Sequence, residues 1–319
     1  MKRIALLTSG GDAPGMNAAI RAVVRTGIYY GVEVVGVRRG YQGLIERDFV
    51  ELDLGSVADI IHRGGTILLT ARCDAFYEEK EREQAVAGLK ERHVEGLIVV
   101  GGEGSFRGAL EVEKLGIPVI CIPGTIDNDI PCTRTTIGFD TVINTVIDAI
   151  NKIRDTATSH ERIFVIEVMG RHSGFIALEA GLAGGAESIV IPELPMRVDD
   201  IIRNIKRGLR RGKKHSIIIV AEGAGDAATI TRQIVEKTGL ETRLSILGYI
   251  QRGGTPTAQD RLLAGKMGAE AVNLLLRGER KKMLGLDGDK IRNFDLEWAI
   301  NQSKTVSLED LRLAGMLSI

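Results

Sequence analysis

Short apolar runs recur along the chain, each followed by a segment whose apolar positions return every three or four residues. The runs Arg3 to Thr8, Val32 to Val37, Gly96 to Val100 and Pro118 to Ile122 read as strands. Buried runs of this kind, separated by helices, pair in parallel through right-handed crossovers. After the first run, Met16, Ile20, Val23 and Val24 fall on one helical stripe, which leaves Arg21 and Arg25 one turn apart on another face. Residues 140–156 repeat the pattern more strongly, with Val142, Ile143, Val146, Ile147, Ile150 and Ile153 facing a core. Further strands are expected at 163–168, 188–191, 216–221 and 244–250. The pattern predicts two parallel α/β units with the long helix at their junction. The charged stretch 78–92 is expected to be a solvated helix face.

The 319 residues suggest two domains of ~150 residues each. With 42 Lys+Arg against 42 Asp+Glu, the zero net charge argues against a general nucleic-acid or membrane-surface binder. No apolar run approaches the ~20 residues of a membrane-spanning helix, and Met1-Lys2-Arg3-Ile4 enters a strand rather than a signal peptide. A soluble, cytoplasmic protein is expected. Cys73, Cys121 and Cys132 have no CxxC or Cys/His ligand spacing, so they read as reduced thiols and not as a disulfide framework or zinc site. Glycine is abundant, 39 residues where an average usage of ~7% gives about 22. Its placement matters more than its number.

In an open parallel sheet, ligands bind outside the carboxyl ends of the strands, so the loops that follow carry the candidate chemistry. Ser9 to Gly15 is one such loop, rich in glycine, and Gly101 to Ser105 is another. The third, Pro123 to Asp129, ends in Asp127 and Asp129. Glycine allows close backbone approach, and amides at a helix start hold anions. Two such loops beside an acidic third favour a phosphate site. The Asn128-Asp129 pair could be a helix cap or Asx-turn, but Asp127 and Asp129 are close, and two such carboxylates repel unless a cation, a proton or a substrate group compensates. Neither glycine loop is GxGxxG, which counts against a dinucleotide fingerprint, and no GxxxxGK[ST] occurs, which excludes a P-loop.

In the second half, Glu167 to Gly174, Ala221 to Gly225 and Gln251 to Thr255 follow strands. Arginines near strand tips suit bidentate phosphate capture, and Glu222 suits sugar hydroxyls. Arg162, Arg171, Arg243 and Arg252 are all expected close to these tips. His160, His172 and His215 have no partner Ser or Cys placed by sequence and read as structural or simple phosphate contacts. Trp298 reads as packing.

The stretches "TSGGDAPGMNAAIR", "GGTIL", "GGEGS", "PGTIDNDI", "GFDT", "KIRDTATSHER", "EVMGRHSG", "AEG" and "QRGGTPTAQDR" follow one another in this order. On them the chain resembles the bacterial ATP-dependent 6-phosphofructokinases over essentially its full length. The resemblance implies two Rossmann-like three-layer α/β domains with mainly parallel sheets. The larger, ATP-binding domain would be 1–138 plus 251–301, and the smaller, fructose 6-phosphate-binding domain 139–250 plus 302–319. It also implies a homotetramer that carries out the committed step of glycolysis. The reaction would be Mg²⁺-dependent transfer from ATP to the 1-hydroxyl of fructose 6-phosphate, giving fructose 1,6-bisphosphate and ADP.

By the same resemblance, Asp127 is the base and Glu103 and Asp129 are the Mg²⁺ carboxylates. Gly11, Arg72, Thr125 and Arg171 stabilise the phosphates. Cys73, Gly102, Gly104, Ser105 and Gly108 lie on the nucleotide side. The sugar phosphate meets Thr125, Asp127, Met169, Gly170, Arg171, Glu222, Tyr249 and Arg252, with Arg162 and Arg243 reaching across from a neighbouring subunit. Arg21, Arg25, Arg154, Gly185, Glu187, Arg211, Lys213, Lys214 and His215 match an effector site for ADP and phosphoenolpyruvate, although the basic run 203–214 alone could be a solvated helix.

Three positions depart from the family pattern. Glu103 stands where aspartate is usual, and its extra methylene moves the carboxylate out by ~1.3 Å, about one carbon-carbon bond. A working site with altered metal or donor preference is expected, because Mg²⁺ tolerates little deviation from octahedral geometry. Tyr249 replaces a histidine that commonly contacts the 6-phosphate, and Leu54 replaces an arginine present in some effector sites. Pyrophosphate-using relatives typically carry aspartate where this chain has Gly104 and lysine where it has Gly124, so ATP is the expected donor. A regulatory subunit without catalysis, suggested by Glu103 and Tyr249, is opposed by retention of Asp127, Asp129, Arg162, Arg171, Glu222 and Arg252. NAD and lipid kinases share a GGDG-like loop but leave "PGTIDNDI" and "QRGGTPTAQDR" unexplained.

Overall fold

The computed structural model describes residues 1–317; Ser318 and Ile319, the end of the expected second domain, lie outside the described residues. In chain order the elements are β1 (Arg3–Thr8), α1 (Met16–Tyr29), β2 (Glu33–Val37), α2 (Gly40–Glu46), β3 (Phe49–Leu52), α3 (Glu79–Glu91), β4 (Leu97–Gly101), α4 (Glu103–Lys114) and β5 (Val119–Pro123). They continue with α5 (Phe139–His160), β6 (Ile163–Val168), α6 (Phe175–Ala183), β7 (Ser188–Val190), α7 (Val198–Arg210), β8 (Ser216–Ala221), α8 (Ala227–Thr238) and β9 (Thr242–Ile246). The last are α9 (Ala258–Leu276), β10 (Lys282–Asp287), β11 (Lys290–Asp295), α10 (Leu296–Ile300) and α11 (Leu308–Leu317).

The chain divides into two compact units. The first comprises Met1–Ile126, Ile130–Thr141 and Arg252–Lys304; the second comprises Asp127–Asp129, Val142–Gln251 and the segment from Thr305 on. The first unit holds a seven-stranded sheet of order β11-β10-β5-β4-β1-β2-β3. Its strands are parallel except at the two ends, where β3 and β11 run antiparallel to β2 and β10. The second unit holds a four-stranded sheet, β7-β8-β6-β9, that is parallel throughout.

The continuous apolar runs take the central places because helices cover both faces of those strands. Every residue of β4, β5 and β8 is buried. Each such Val, Ile or Leu contributes about 1.5–3 kcal/mol when fully withdrawn from water. Helix α1 packs against α9, and Gly268 sets the approach, since a Cβ there would stand 2.7 Å from Ala22 Cβ and 2.9 Å from Ala19 O. Asp260, at the start of α9, is buried and binds the start of α5. It accepts from Gly138 N (2.9 Å), Thr141 N (2.8 Å) and Thr141 Oγ1 (2.5 Å). Burial pushes its carboxyl pKa up against those three hydrogen bonds.

The expected strands and helices in the first 220 residues form close to their predicted limits. The strand expected at 244–250 is instead β9 over 242–246, followed by a 3₁₀ turn over 248–251, because Gly248 adopts φ +50° and breaks the extension. The edge strands β3 and β11, and β10 beside β11, are additions to the sequence reading. The 78–92 helix is solvated on one face only; Ala85, Val86 and Leu89 enter the core. Trp298 is half exposed, with its ring 6.4 Å from that of Phe294, rather than packed in a core. All three cysteines are free thiols, and burial raises the pKa of each.

Candidate active site

In the first unit, β1, β4 and β5 are adjacent and parallel, so the loops 9–15, 101–105 and 123–126 leave the same edge of the sheet. Ser9 N donates to Val100 O (3.0 Å) and Gly124 N to Gly101 O (2.9 Å), which carries the pairing past the strand ends. Gly101 is required by close approach: a Cβ would lie 2.6 Å from Ser105 Oγ and from Ser9 O. Gly102 then caps α4 without a side-chain hydrogen bond, so the first amides of α4 remain available to an anion. Tyr41 donates to Ser105 O (2.5 Å), and its ring packs where a Cβ on Gly108 would be.

Glu103 opens α4 half exposed, and its Oε1 accepts from both Arg107 Nε (2.9 Å) and Arg107 Nη2 (2.7 Å). Beside it a cavity of about 470 Å³ is lined by residues including Tyr41, Cys73, Gly104, Arg107 and Gly108. Cys73 and the exposed Arg72 end a segment that buried Asn17 fastens in place. Asn17 donates to Arg63 O and Gly64 O (3.1 Å each) and accepts from Ile67 N (2.8 Å). The guanidinium of Arg252 sits 3.1 Å from the Cβ position of Gly11, and its Nη1 is 4.0 Å from Asp12 Oδ1. Thr125, directly after β5, pairs by N–H to Ile137 O (3.1 Å) and accepts at its carbonyl from Thr136 Oγ1 (2.6 Å).

In the second unit, Asp127 is buried and its Oδ2 lies 3.6 Å from Nε of the half-exposed Arg171. Asn128 and Arg171 both adopt left-handed backbone conformations, φ 54° and 53°. Glu222, at the tip of β8, accepts from Gly170 N (3.2 Å) and Arg171 N (2.6 Å). Met169 N donates to Gln251 Oε1 (3.2 Å), and Ser173 Oγ lies 3.1 Å from Asp127 O and 3.0 Å from Gly170 O. Glu222, the amides of Gly170 and Arg171, and Ser173 thus tie the Arg171 loop to the Asp127 segment at the strand tips. Burial raises the pKa of neighbouring Glu167, with Glu222 adding to the effect. A buried base beside a guanidinium, next to a loop of fixed amides, can orient a hydroxyl and receive its proton.

Comparison with known proteins decides what this arrangement belongs to. The phosphofructokinase family profile matches residues 3–275. The chain belongs to the phosphofructokinase family. The ATP-dependent 6-phosphofructokinase of Halothermothrix orenii is 61% identical over 332 residues, and that of Bacillus subtilis 58% over 319, with all of each chain covered. Among solved structures, a phosphofructokinase of Saccharomyces cerevisiae superposes with TM-score 0.90 at 35% identity; the match covers all of this chain and 48% of the yeast chain. A pyrophosphate-dependent phosphofructokinase of Marinobacter aquaeolei, 23% identical, shares the fold with TM-score 0.88 and covers all of this chain and 92% of its own. As a member of this family the chain is a phosphotransferase.

Two of the four arginines expected at strand tips of this phosphofructokinase are elsewhere. Arg162 precedes β6 and Arg243 pairs with Phe164 in β9, so both stand at the amino edge of the second sheet. Arg171 follows the other end of β6, a strand length of roughly 16 Å away. Chain order already implied this, because Arg162 and Arg243 precede the strands expected at 163–168 and 244–250 whereas Arg171 follows one. Both edge arginines converge on Glu241, at 2.9 Å and 2.5 Å, and Arg162 foremost holds that carboxyl below its ordinary pKa.

The effector candidates divide between the two units. In the second, Arg154 donates to Gly184 O and to Gly185 O (3.2 Å), and buried Glu187 pairs with Lys213 and accepts from Ile217 N. His215 joins this cluster; burial lowers its pKa, Glu187 opposes the shift, and Lys213 and Arg154 add to it. Lys214 turns instead to Glu161 at 2.5 Å, and Arg211 caps the exposed end of α7. Arg21 and Arg25 lie on α1 of the first unit. Sequence reasoning missed Ser173, Gln251 and Asn17, short polar residues whose partners are 46 to 82 residues away.

Proposed function

We propose that the chain transfers the γ-phosphoryl group of ATP to the 1-hydroxyl of fructose 6-phosphate, giving fructose 1,6-bisphosphate and ADP as the committed step of glycolysis. The observation that carries this reading is the buried Asp127 carboxylate beside Arg171, on a loop whose amides are fixed by Glu222. Asp127 accepts the proton of the 1-hydroxyl as that oxygen bonds to the γ-phosphorus and the bond to the bridging oxygen of ADP breaks. Arg171, Arg72, Thr125 and the amide of Gly11 stabilise charge on the transferring group. The first unit holds the donor, through Cys73, Gly102, Gly104, Ser105 and Gly108. Met169, Gly170, Glu222, Tyr249 and Arg252 hold the sugar phosphate.

Among the described residues no group of three or more His, Cys, Asp or Glu side chains is placed to bind a metal. Mg²⁺ is commonly held by one or two carboxylates together with substrate phosphates and waters, and so needs no such group. Glu103 and Asp129 would supply the carboxylates. The bound ion would neutralise charge on the phosphates. Arg107 holds Oε1 of Glu103 in an exposed ion pair worth about 0.3–0.5 kcal/mol, a weak competitor for a metal ion.

Arg162 and Arg243, gathered on Glu241 away from Arg171, support supply of these two arginines to a neighbouring active site in a homotetramer. Arg154, Gly185, Glu187, Arg211, Lys213, Lys214 and His215 of the second unit, and Arg21 and Arg25 of the first, would each contribute to binding of ADP and phosphoenolpyruvate, which bias two states of the tetramer. No helix of the described residues is long and apolar enough to cross a membrane, which accords with a cytoplasmic enzyme.

The test of the reading is initial rates of fructose 1,6-bisphosphate formation with Mg²⁺, comparing ATP with pyrophosphate. Turnover with ATP alone is expected; turnover with pyrophosphate instead would overturn the donor assignment. Tyr249 is 80% exposed on the turn after β9 and carries no charge towards a 6-phosphate. Tyr249→His is therefore expected to lower the KM for fructose 6-phosphate about three- to tenfold, the effect of a charge-assisted hydrogen bond at an exposed position. The KM for ATP should not move, and an unimproved sugar-phosphate KM would remove Tyr249 from the site.

A further inference from the structure

The loop from Met169 to Gly174 carries Arg171 in a left-handed conformation, φ 53°, which side-chain-bearing residues adopt only where their surroundings over-determine it. Its beginning is fixed by Glu222, through Gly170 N and Arg171 N. Its other end is the start of α6, and there the local sequence supplies no cap. Gly174 is the N-cap residue and makes no side-chain hydrogen bond. It cannot be exchanged for a capping residue, because a Cβ would stand 2.5 Å from Ile191 Cβ and 2.6 Å from Glu193 Oε2.

The missing acceptor comes from the loop after β7. Glu193 Oε1 accepts from Gly174 N at 2.8 Å, and its negative charge faces the start of a nine-residue helix. Two carboxylates on two different strand-end loops therefore bracket the segment that presents Arg171. Between them the Ser173 hydroxyl, close to the carbonyls of both Gly170 and Asp127, links the bracketed loop to the base segment.

We propose that Glu193 is a positioning residue for the reaction: its carboxylate caps Gly174 and so holds the Arg171 loop in register with Asp127. This rests on the proposed roles of Arg171 and Asp127. Glu222 can then turn towards a sugar hydroxyl without releasing the loop, because the Gly174 end stays anchored. Glu193 itself touches no substrate. It is solvent-exposed, so its replacement leaves the hydrophobic core intact.

The experiment compares the parent chain with Glu193→Ala and Glu193→Gln by amide hydrogen exchange over residues 170–176 and by steady-state kinetics. Loss of a helix cap corresponds to about a fivefold change in equilibrium. Glu193→Ala is accordingly expected to speed exchange at Gly174 about fivefold, raise the KM for fructose 6-phosphate about fivefold and lower kcat, while the KM for ATP stays at the parent value and the thermal midpoint falls by no more than about 2–4 °C. Glu193→Gln retains a carbonyl acceptor and should restore both exchange and kinetics to near the parent. Parent-like exchange in Glu193→Ala would overturn the clamp. So would a Gln variant as impaired as the Ala variant, or a KM for ATP that rises in step with that for the sugar phosphate. Exchange is read without substrates, so a parent chain inactive with both ATP and pyrophosphate would defeat the reaction proposed above, while faster exchange in Glu193→Ala would still establish the clamp.

Discussion

Asp127→Ser should lower turnover by about 10²–10⁴-fold, the range spanned by loss of a positioned general base. The KM values for ATP and fructose 6-phosphate should change far less, because Arg171, Glu222 and Arg252 remain. The fold should survive. The carboxylate is buried, but its charged neighbour Arg171 is 57% exposed and can return to water when its partner is removed. Leaving a charge unpaired costs most where that charge is itself buried, which is not the case here. The backbone contact between Asp127 O and Ser173 Oγ does not depend on the side chain at 127. The decisive measurement is a single-turnover rate at saturating substrates together with a thermal midpoint. A slow rate at an unchanged midpoint assigns the base; near-parent turnover would leave Asp127 with a structural role only.

The fold was legible wherever a strand is covered on both faces. β1, β4, β5, β6 and β8 read as continuous apolar runs because helices shield them completely. The edge strands β3 and β11 escaped notice because half of each remains in contact with water. β11, Lys-Ile-Arg-Asn-Phe-Asp, has no fully buried residue. The turn over 248–251 was hidden for a different reason: Tyr249 and Ile250 look strand-forming, but they are 80% and 71% exposed, and only Gly248 marks the break.

The same physics divides the site. Residues that must approach a phosphate closely leave a local signature, glycine at a strand end followed by a helix, and these were readable. Arg162 and Arg243 directly precede the strands read at 163–168 and 244–250, so chain order puts them at the amino ends, a whole strand from the tips where they were expected. Glu193 and Ser173 were invisible because they act through single hydrogen bonds to backbone atoms 19 and 46 residues away, and no periodicity records such contacts. Gly124 shows a further limit. Read as a mark of the donor because pyrophosphate-using relatives carry lysine there, it is also tightly packed, since a Cβ would press on Val100 Cγ1 at 2.9 Å and Met16 Cε at 3.3 Å.

That contrast makes Gly104 the cleaner test of the donor, and Gly104→Asp is expected to raise the KM for ATP about a hundredfold. A Cβ at 104 meets nothing within 4 Å, so the substitution costs no packing. The residue lies in the first turn of α4, where an acidic side chain gains about 0.3–1 kcal/mol from the helix amides at low salt. The thermal midpoint should therefore hold or rise slightly. Any loss of ATP affinity then has to come from what fills the cavity lined by Gly104, Arg107 and Gly108. A carboxylate ~4 Å from a phosphate oxygen opposes it by about 1–4 kcal/mol as the effective dielectric falls from bulk water to a protein surface. Hundredfold in KM lies within that range. Such a rise at an unchanged midpoint would put the nucleotide phosphates beside Gly104. New turnover with pyrophosphate in the same variant would make this one position the switch between donors, because the carboxylate obstructs the nucleotide's inner phosphate and spares the two that pyrophosphate shares with it. An unchanged KM for ATP, in a variant that folds like the parent, would move the nucleotide out of this cavity altogether.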